Sequence, residues 1–137
     1  MITYDELWSC FLDNYKINKK DIPTNQHEIY NDIRNAVRHY NVKMKALGRT
    51  QASCLEGSEM IVGVDDDVNL LILAHYLILV HLKNSYHLLD NTWQVMGADI
   101  GVKNFRTQLI SLESDIKATE DKISRFIFDG LEDFGYG

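Results

Sequence analysis

The stretch from Val64 to Tyr86, VDDDVNLLILAHYLILVHLKNSY, contains the residues whose types most suggest chemistry. Three consecutive aspartates, Asp65 to Asp67, could supply carboxylate oxygens to a hard divalent cation. They lack the D-x-D-x-D-G spacing of a calcium loop, and consecutive residues at a helix start do not converge on one point. We therefore expect these aspartates to cap a helix, where carboxylates accept bonds from free N–H groups and complement the macrodipole.

Three histidines follow the aspartates at a spacing that does not suit a shared metal ion. His75, His81 and His87 recur every six residues, which places successive rings about 120° apart around a helix. Histidine ligands on one helix come as i, i+4 pairs, as in H-E-x-x-H. We therefore interpret them as core or boundary histidines and predict no metal site.

The sequence contains no recognised arrangement for nucleophilic catalysis. Cys10 and Cys54 lie far apart and form no C-x-x-C pair, which suits a reducing compartment. Neither a G-x-S-x-G motif nor a phosphate-binding glycine loop occurs. We predict a protein that is not an enzyme, with no catalytic residues and no cofactor.

A group of basic residues is the feature with several interpretations. The chain has no acidic residue from Ile33 to Leu55, but it has five basic ones there: Arg34, Arg38, Lys43, Lys45 and Arg49. Such a surface can be solvated, can contact an acidic protein, or can contact nucleic-acid phosphate. The net charge of −6 argues against nonspecific nucleic-acid binding by the molecule as a whole.

The elements that must position these residues are predicted to be helices in a single domain, residues 1–137. A chain of 137 residues with 45% apolar content can bury one core, and a single proline favours helices over the turns of a β-fold. Between Asp67 and Lys83 the apolar stretch is shorter than the roughly 17–25 residues that span a bilayer, so we expect no membrane segment. The N-terminus shows no basic segment before an apolar run, so we expect no secretory signal.

The periodicity predicts an all-α bundle of about four helices with a long central apolar helix. Thr3 and Glu6 form a capping-box pattern, and Gly48 follows an amphipathic repeat as a C-terminal stop. The helices are expected near residues 3–15, 26–47, 66–95 and 103–128. The expected core comprises Leu70, Leu73, Leu77, Val80, Leu109, Leu112 and Ile116.

Three segments lie outside that repeated pattern or at its ends. Residues 1–22 form an N-terminal helix and its connection, and residues 48–64 are too long for an ordinary turn. We predict a protruding loop or small hairpin over 48–64, with one short strand in EMIVGV. Residues 130–137 are predicted to be a flexible C-terminal tail, whose Leu131, Phe134 and Tyr136 are candidate partner contacts.

The pattern of three stretches resembles small helical connector proteins of tailed bacteriophages, also called adaptor or neck ring proteins. They are IYNDIRNAVRHYN, DDDVNLLILAHYLILVHL and WQVMGADIGVKNFRTQLISLESDI, which together span roughly residues 28 to 128. The N-terminal helix with Trp8 and Phe11 has no clear counterpart in that pattern, and no diagnostic motif occurs.

The resemblance implies a structural virion protein at the head–tail interface, made in the host cytoplasm. It implies a homo-oligomeric ring of about 12 copies, docked on the portal protein and linked to other neck or tail proteins near the packaged DNA. The alternative is a small helical regulatory or nucleic-acid-binding accessory protein that uses the basic helix. We expect the tail and the 48–64 loop to contact neighbouring subunits or the portal, with the basic helix facing an acidic surface.

Overall fold

The computed structural model describes residues 1–16, 22–96 and 102–136, with side chains described in those ranges except for 92–96, 102–105 and 130–136. Four helices form most of it, and three very short strands form a small sheet. The elements are β1 (Ile2–Thr3), α1 (Tyr4–Asn14), α2 (Gln26–Ala46), β2 (Ser53–Leu55), β3 (Met60–Val62), α3 (Asp67–Met96) and α4 (Val102–Tyr136). The predicted all-α bundle of four helices with a long central apolar helix is confirmed.

Side chains at the starts of three helices satisfy N–H groups that the helices leave free. The Thr3 hydroxyl accepts a 3.0 Å bond from the Glu6 amide, and the Asn25 carbonyl oxygen Oδ1 accepts a 2.8 Å bond from the His27 amide. At α3 the Asp66 carboxylate accepts a 2.6 Å bond from the Asn69 amide. Of the three aspartates predicted to cap α3, Asp66 therefore does so, whereas Asp65 pairs with the Met1 amine.

The core surrounds the first half of α3. From Ile72 to Leu82 every residue except the half-buried Tyr76 is buried, because α1, α2 and α4 all pack on this segment. Side chains from each neighbouring element complete the core, including Leu7, Phe11, Ile33, Tyr40, Met44, Ile61, Ile123 and Ile127. A helix that is apolar on all sides is explained by this central position.

The expected core residues divide into two groups in the structure. Leu73, Leu77 and Val80 are buried, as predicted. The remaining four are half-buried: Leu70, Leu109, Leu112 and Ile116. Those on α4 form one side of a helix whose other side faces solvent, so burial there is partial.

One segment of α3, Asp67–Asn91, is long and apolar enough to cross a membrane by length and composition. Half of the most apolar 18-residue stretch in this segment is buried inside the fold. The central helix of a globular bundle has the same composition, because its neighbours replace lipid as the apolar surroundings.

The sheet joins the N-terminus to the segment before α3. Its strand order is β1-β3-β2 with both pairs antiparallel, and Ile61 of β3 lies opposite both Ile2 and Cys54. The strand predicted in EMIVGV is β3, and its antiparallel pairing with β2 forms the small hairpin that was one of the two predictions for 48–64. Strand β1 was not predicted. Strands of two or three residues are too short to show an alternating pattern in the sequence.

Residues 48–64 pack against the bundle rather than protruding as the sequence led us to expect. Ala52, Ile61 and Val64 are buried. Asn41 of α2 holds the Ala52 backbone with two hydrogen bonds, of 2.8 Å to its carbonyl and 2.7 Å from its amide. Gly63 has φ +92°, and a Cβ there would lie 2.3 Å from the Gln51 carbonyl oxygen, so this close approach requires glycine.

The last helix is longer than predicted. The sequence placed its end at 128, before a flexible tail, but α4 continues through Gly130 to Tyr136. A glycine inside a helix costs about 1 kcal/mol relative to alanine and does not by itself end the helix. The side chains of Leu131, Phe134 and Tyr136 lie outside the described residues, so their predicted contacts stay predictions.

Candidate interaction surfaces

Three of the five predicted basic residues lie on one side of α2. At about 100° per residue, Arg34, Arg38 and Lys45 fall within a narrow sector of the helix surface. Arg38 and Lys45 are exposed, and neither forms an ion pair within the described part of the chain. The guanidinium of Arg34 contacts the Asn31 side chain, and its Nε lies 3.2 Å from Glu56 Oε1. Two of these three cations are therefore free to meet a partner.

The other two predicted basic residues lie elsewhere. Lys43 lines a shallow cleft between α2, α3 and α4, together with Tyr76 and Glu120. Arg49 follows the end of α2 and is half-buried. Burial raises the pKa of Tyr40 to about 12, and the positive charge of Arg49 partly opposes that rise. The five cations are close in the sequence. Lys43 is separated from the other cations of α2 by the helical period, and Arg49 is separated from them by the turn after α2.

Exposed apolar side chains lie beside the free cations. Asn41 holds Ala52, and Arg34 pairs with Glu56, so β2 runs alongside α2 between these two contacts. On the outer side of the sheet Leu55 is 46% exposed and Val62 is 39% exposed, and on α2 Val42 is 72% exposed. We call this surface the basic–apolar face; it consists of Arg38, Val42, Lys45, Leu55 and Val62.

A groove lined by three aromatic residues separates the first turns of α1 and α2. It has a volume of about 200 Å³, and we call it the aromatic groove. The rings of Tyr4 and Tyr30 meet edge to face at 5.4 Å, and Gln26 Nε2 donates a 2.8 Å hydrogen bond to the Tyr30 hydroxyl. The described lining residues are Tyr4, Asp5, Trp8, Thr24, Gln26, Ile29, Tyr30, Ile33 and Glu59. They include two carboxylates and no cation.

A second groove, of about 500 Å³, is lined mainly by polar residues and lies between the start of α2 and the middle of α3. Burial raises the pKa of its Asp32, although the neighbouring His81 lowers it, and the nearby charge of Glu28 raises it further. Asn84 Nδ2 lies 3.4 Å from Asp32 Oδ1, and His81 Nδ1 lies 3.2 Å from the Tyr15 hydroxyl. This groove can hold a cationic or hydrogen-bond-donating group. Sequence reasoning missed it because Asp32 and His81 meet only through the packing of α2 on α3.

The other titratable groups with shifted pKa values mostly serve the fold. His75 is buried, its Nδ1 lies 2.8 Å from the Leu71 carbonyl, and burial lowers the pKa of its ring. Burial also raises the pKa of the Cys10 and Cys54 thiols, which disfavours the reactive thiolate. Among the described residues, no group of His, Cys, Asp and Glu is placed to hold a metal ion.

Comparison with known proteins gives matches over almost the whole chain. A family model described as YomZ prophage protein matches residues 1–132. The SPbeta prophage-derived uncharacterized protein YomZ of Bacillus subtilis (strain 168) is 39% identical over 138 residues, covering 98% of this chain and 99% of that relative. No solved structure gives a significant match.

Proposed function

The chain belongs to the YomZ prophage protein family, and from this phage origin we propose that it is a structural subunit of the phage particle. The class we propose is the head-to-tail connector or neck ring protein, which docks on the portal and links it to the tail. In this role it is not an enzyme and needs no cofactor. About 12 copies would form a closed ring at the neck of the virion, after synthesis in the host cytoplasm.

The observation that supports this proposal is the presence of two unlike surfaces on one small helical domain. The basic–apolar face presents Arg38 and Lys45 beside exposed aliphatic side chains. The aromatic groove presents Asp5 and Glu59 beside aromatic rings. A molecule with two different, complementary surfaces can join head to tail, and such heterologous contacts close into rings when the rotation allows.

The test is the composition and structure of the particle. Particles released from an induced lysogen that encodes the chain would be purified, and its copy number would be measured by quantitative mass spectrometry against the portal protein. We expect a copy number close to that of the portal, and density for the four-helix fold next to the portal in a cryo-electron microscopy reconstruction. Absence from the particle, or a single copy, would overturn the proposal.

A nucleic-acid-binding accessory protein is the second candidate, which the free and exposed Arg38 and Lys45 favour. Binding through two phosphate contacts predicts a slope of about −2 for the logarithm of the affinity against the logarithm of salt concentration. The measurement is fluorescence anisotropy with duplex DNA, comparing Arg38→Ala/Lys45→Ala with a control, Lys117→Ala/Arg125→Ala on α4. Submicromolar binding that only the first pair weakens would favour this function over the connector.

A further inference from the structure

We infer that the aromatic groove is the receptor for a basic side chain, Arg38 or Lys45, from the basic–apolar face of a second copy of this chain. The inference rests on the proposed ring-forming function and names the contact that would build the ring. It also assigns a binding role to the N-terminal helix.

The groove has the chemistry that recognises a cationic side chain. Its walls contain the half-buried rings of Trp8 and Tyr30 together with the buried Tyr4, and the accessible faces of aromatic rings attract ammonium and guanidinium groups. Asp5 and Glu59 add two carboxylates at the exposed rim, and no described lining residue carries a positive charge. Positive charge is therefore attracted by both the rings and the rim.

The size of the groove suits one long side chain. Its volume of about 200 Å³ is below the roughly 300–1,000 Å³ of sites that bury a drug-sized ligand. The Tyr30 ring is held by its bond from Gln26 and by its edge contact with Tyr4. A partly preformed wall lowers the entropy that binding must lose.

The basic–apolar face supplies the matching groups but cannot reach the groove of its own molecule. Tyr30 lies on α2 about 12 Å from Arg38 and about 22 Å from Lys45 along the helix axis. The groove side of α2, at Ile29 and Ile33, is also rotated away from the sector that carries Arg38. A cation of the basic–apolar face that fills the groove must therefore come from another molecule, and because the two surfaces differ, the contact is heterologous.

The aliphatic side chains beside the cations argue for a protein partner with an apolar component. Val42 is exposed on the same helix as Arg38 and Lys45, and Leu55 and Val62 are exposed on the hairpin that packs beside this helix. Phosphate would leave these apolar side chains in water. Trp8 and Ile29 offer apolar surface at the groove. A second copy satisfies both the charge and the apolar parts of the face.

Sedimentation velocity of the full chain, from 1 µM to 1 mM at low and high salt, is the test. One variant reverses the face, Arg38→Glu/Lys45→Glu, and one reverses the groove, Asp5→Lys/Glu59→Lys. The matched controls make the same charge changes on exposed positions of α4: Lys117→Glu/Arg125→Glu and Asp115→Lys/Asp121→Lys. Thermal melts verify that each variant is folded.

We expect the wild type to associate in a salt-sensitive manner, and each reversed variant to lose at least tenfold in association constant. The controls should keep the wild-type value. An equimolar mixture of the two reversed variants should associate again, because each reversed surface then meets a surface of opposite charge. In addition, Trp8→Ala should weaken association, whereas Trp8→Phe should retain most of it.

A wild type that stays monomeric at every concentration would overturn the inference. So would association that the reversed variants do not weaken, or a mixture that does not recover it. These results are distinct from failure of the proposed function, which is decided by the presence and copy number of the protein in the particle. If the ring still assembles in the particle when both reversed variants are used, the inference is overturned and the proposed function is not.

Discussion

The two halves of α3 lie in different surroundings although one continuous helix contains both. From Ile72 to Leu82 the helix is enclosed by α1, α2 and α4, and even His75 and His81 are buried. From Lys83 to Asn91 no residue is fully buried, and Leu88 is 71% exposed. In this second half Tyr86 reaches α4, where its hydroxyl donates a 2.9 Å bond to Glu113 Oε1.

The difference shows that the two halves of one helix can contribute unequally to the stability of the protein. The first half holds the domain together, because burial of its apolar side chains supplies most of the driving force. The second half has no fully buried side chain and therefore contributes less to stability. We therefore place the stability of the protein in the first half, and its candidate contacts outside this enclosed core.

The largest expected effect is the loss of a side chain from the enclosed half. Leu77 is 1% exposed, so Leu77→Ala should lower the free energy of unfolding by about 2–5 kcal/mol through lost burial and a residual cavity. Leu88→Ala is the matched control and should change it by no more than about 0.5 kcal/mol. Urea denaturation followed by circular dichroism measures both, and equal losses would contradict the division of α3.

A smaller effect is expected where α4 packs on the bundle with only one side. Leu112 is half-buried, so Leu112→Ala should cost about 1–2 kcal/mol, between the two leucines of α3. The same denaturation measurement applies, with Ile110→Ala as the control because Ile110 is 57% exposed. A cost for Leu112→Ala as large as that for Leu77→Ala would mean that this part of α4 is enclosed after all.

Backbone opening should also differ between the two halves. Amide hydrogens from Ile72 to Leu82 should exchange only through global unfolding, whereas those from Lys83 to Asn91 should exchange at least about tenfold faster through local opening. Hydrogen–deuterium exchange with mass spectrometry resolves the two segments. Uniform protection along α3 would show that the helix opens as one unit.

The smallest expected effect is a dependence of stability on pH that comes from the enclosed half. Burial lowers the pKa of His75 below its ordinary value of about 6.5; the bond to the Leu71 carbonyl partly opposes this shift, and nearby Lys122 adds to it. The unfolded chain therefore binds a proton more readily, and stability is lost as pH falls below about 6.5. The contribution is complete above that pH, where both states have a neutral ring.

The measurement is the urea midpoint between pH 5 and pH 8 for His75→Phe against the wild type. The variant should show a weaker loss of stability toward pH 5, while His87→Gln should keep the wild-type dependence because His87 is exposed. Asp32 acts in the opposite direction. Because its pKa is raised in the folded state, its contribution to the free energy of unfolding falls as pH rises above about 3.8. An unchanged pH profile in His75→Phe would exclude His75 as the source.

Local physical chemistry in the sequence was sufficient to predict the helices and their starts. Apolar residues at helical spacing, the cap at Thr3, the cap at Asp66 before α3 and Gly48 after α2 all act within a few residues of the chain. The same reasoning identified Leu73, Leu77 and Val80 as core. Family membership also follows from the sequence, since the match to the YomZ prophage protein family requires no coordinates.

Tertiary structure alone decided which residues from distant parts of the chain meet. The pairing of Ile2 with Ile61 adds β1 to the sheet, and the two hydrogen bonds of Asn41 hold residues 48–64 against α2. Neither contact leaves a periodic signal, because each joins single residues across a long separation. The aromatic groove and the groove that contains Asp32 and His81 likewise depend on how the helices pack, which composition and spacing do not specify.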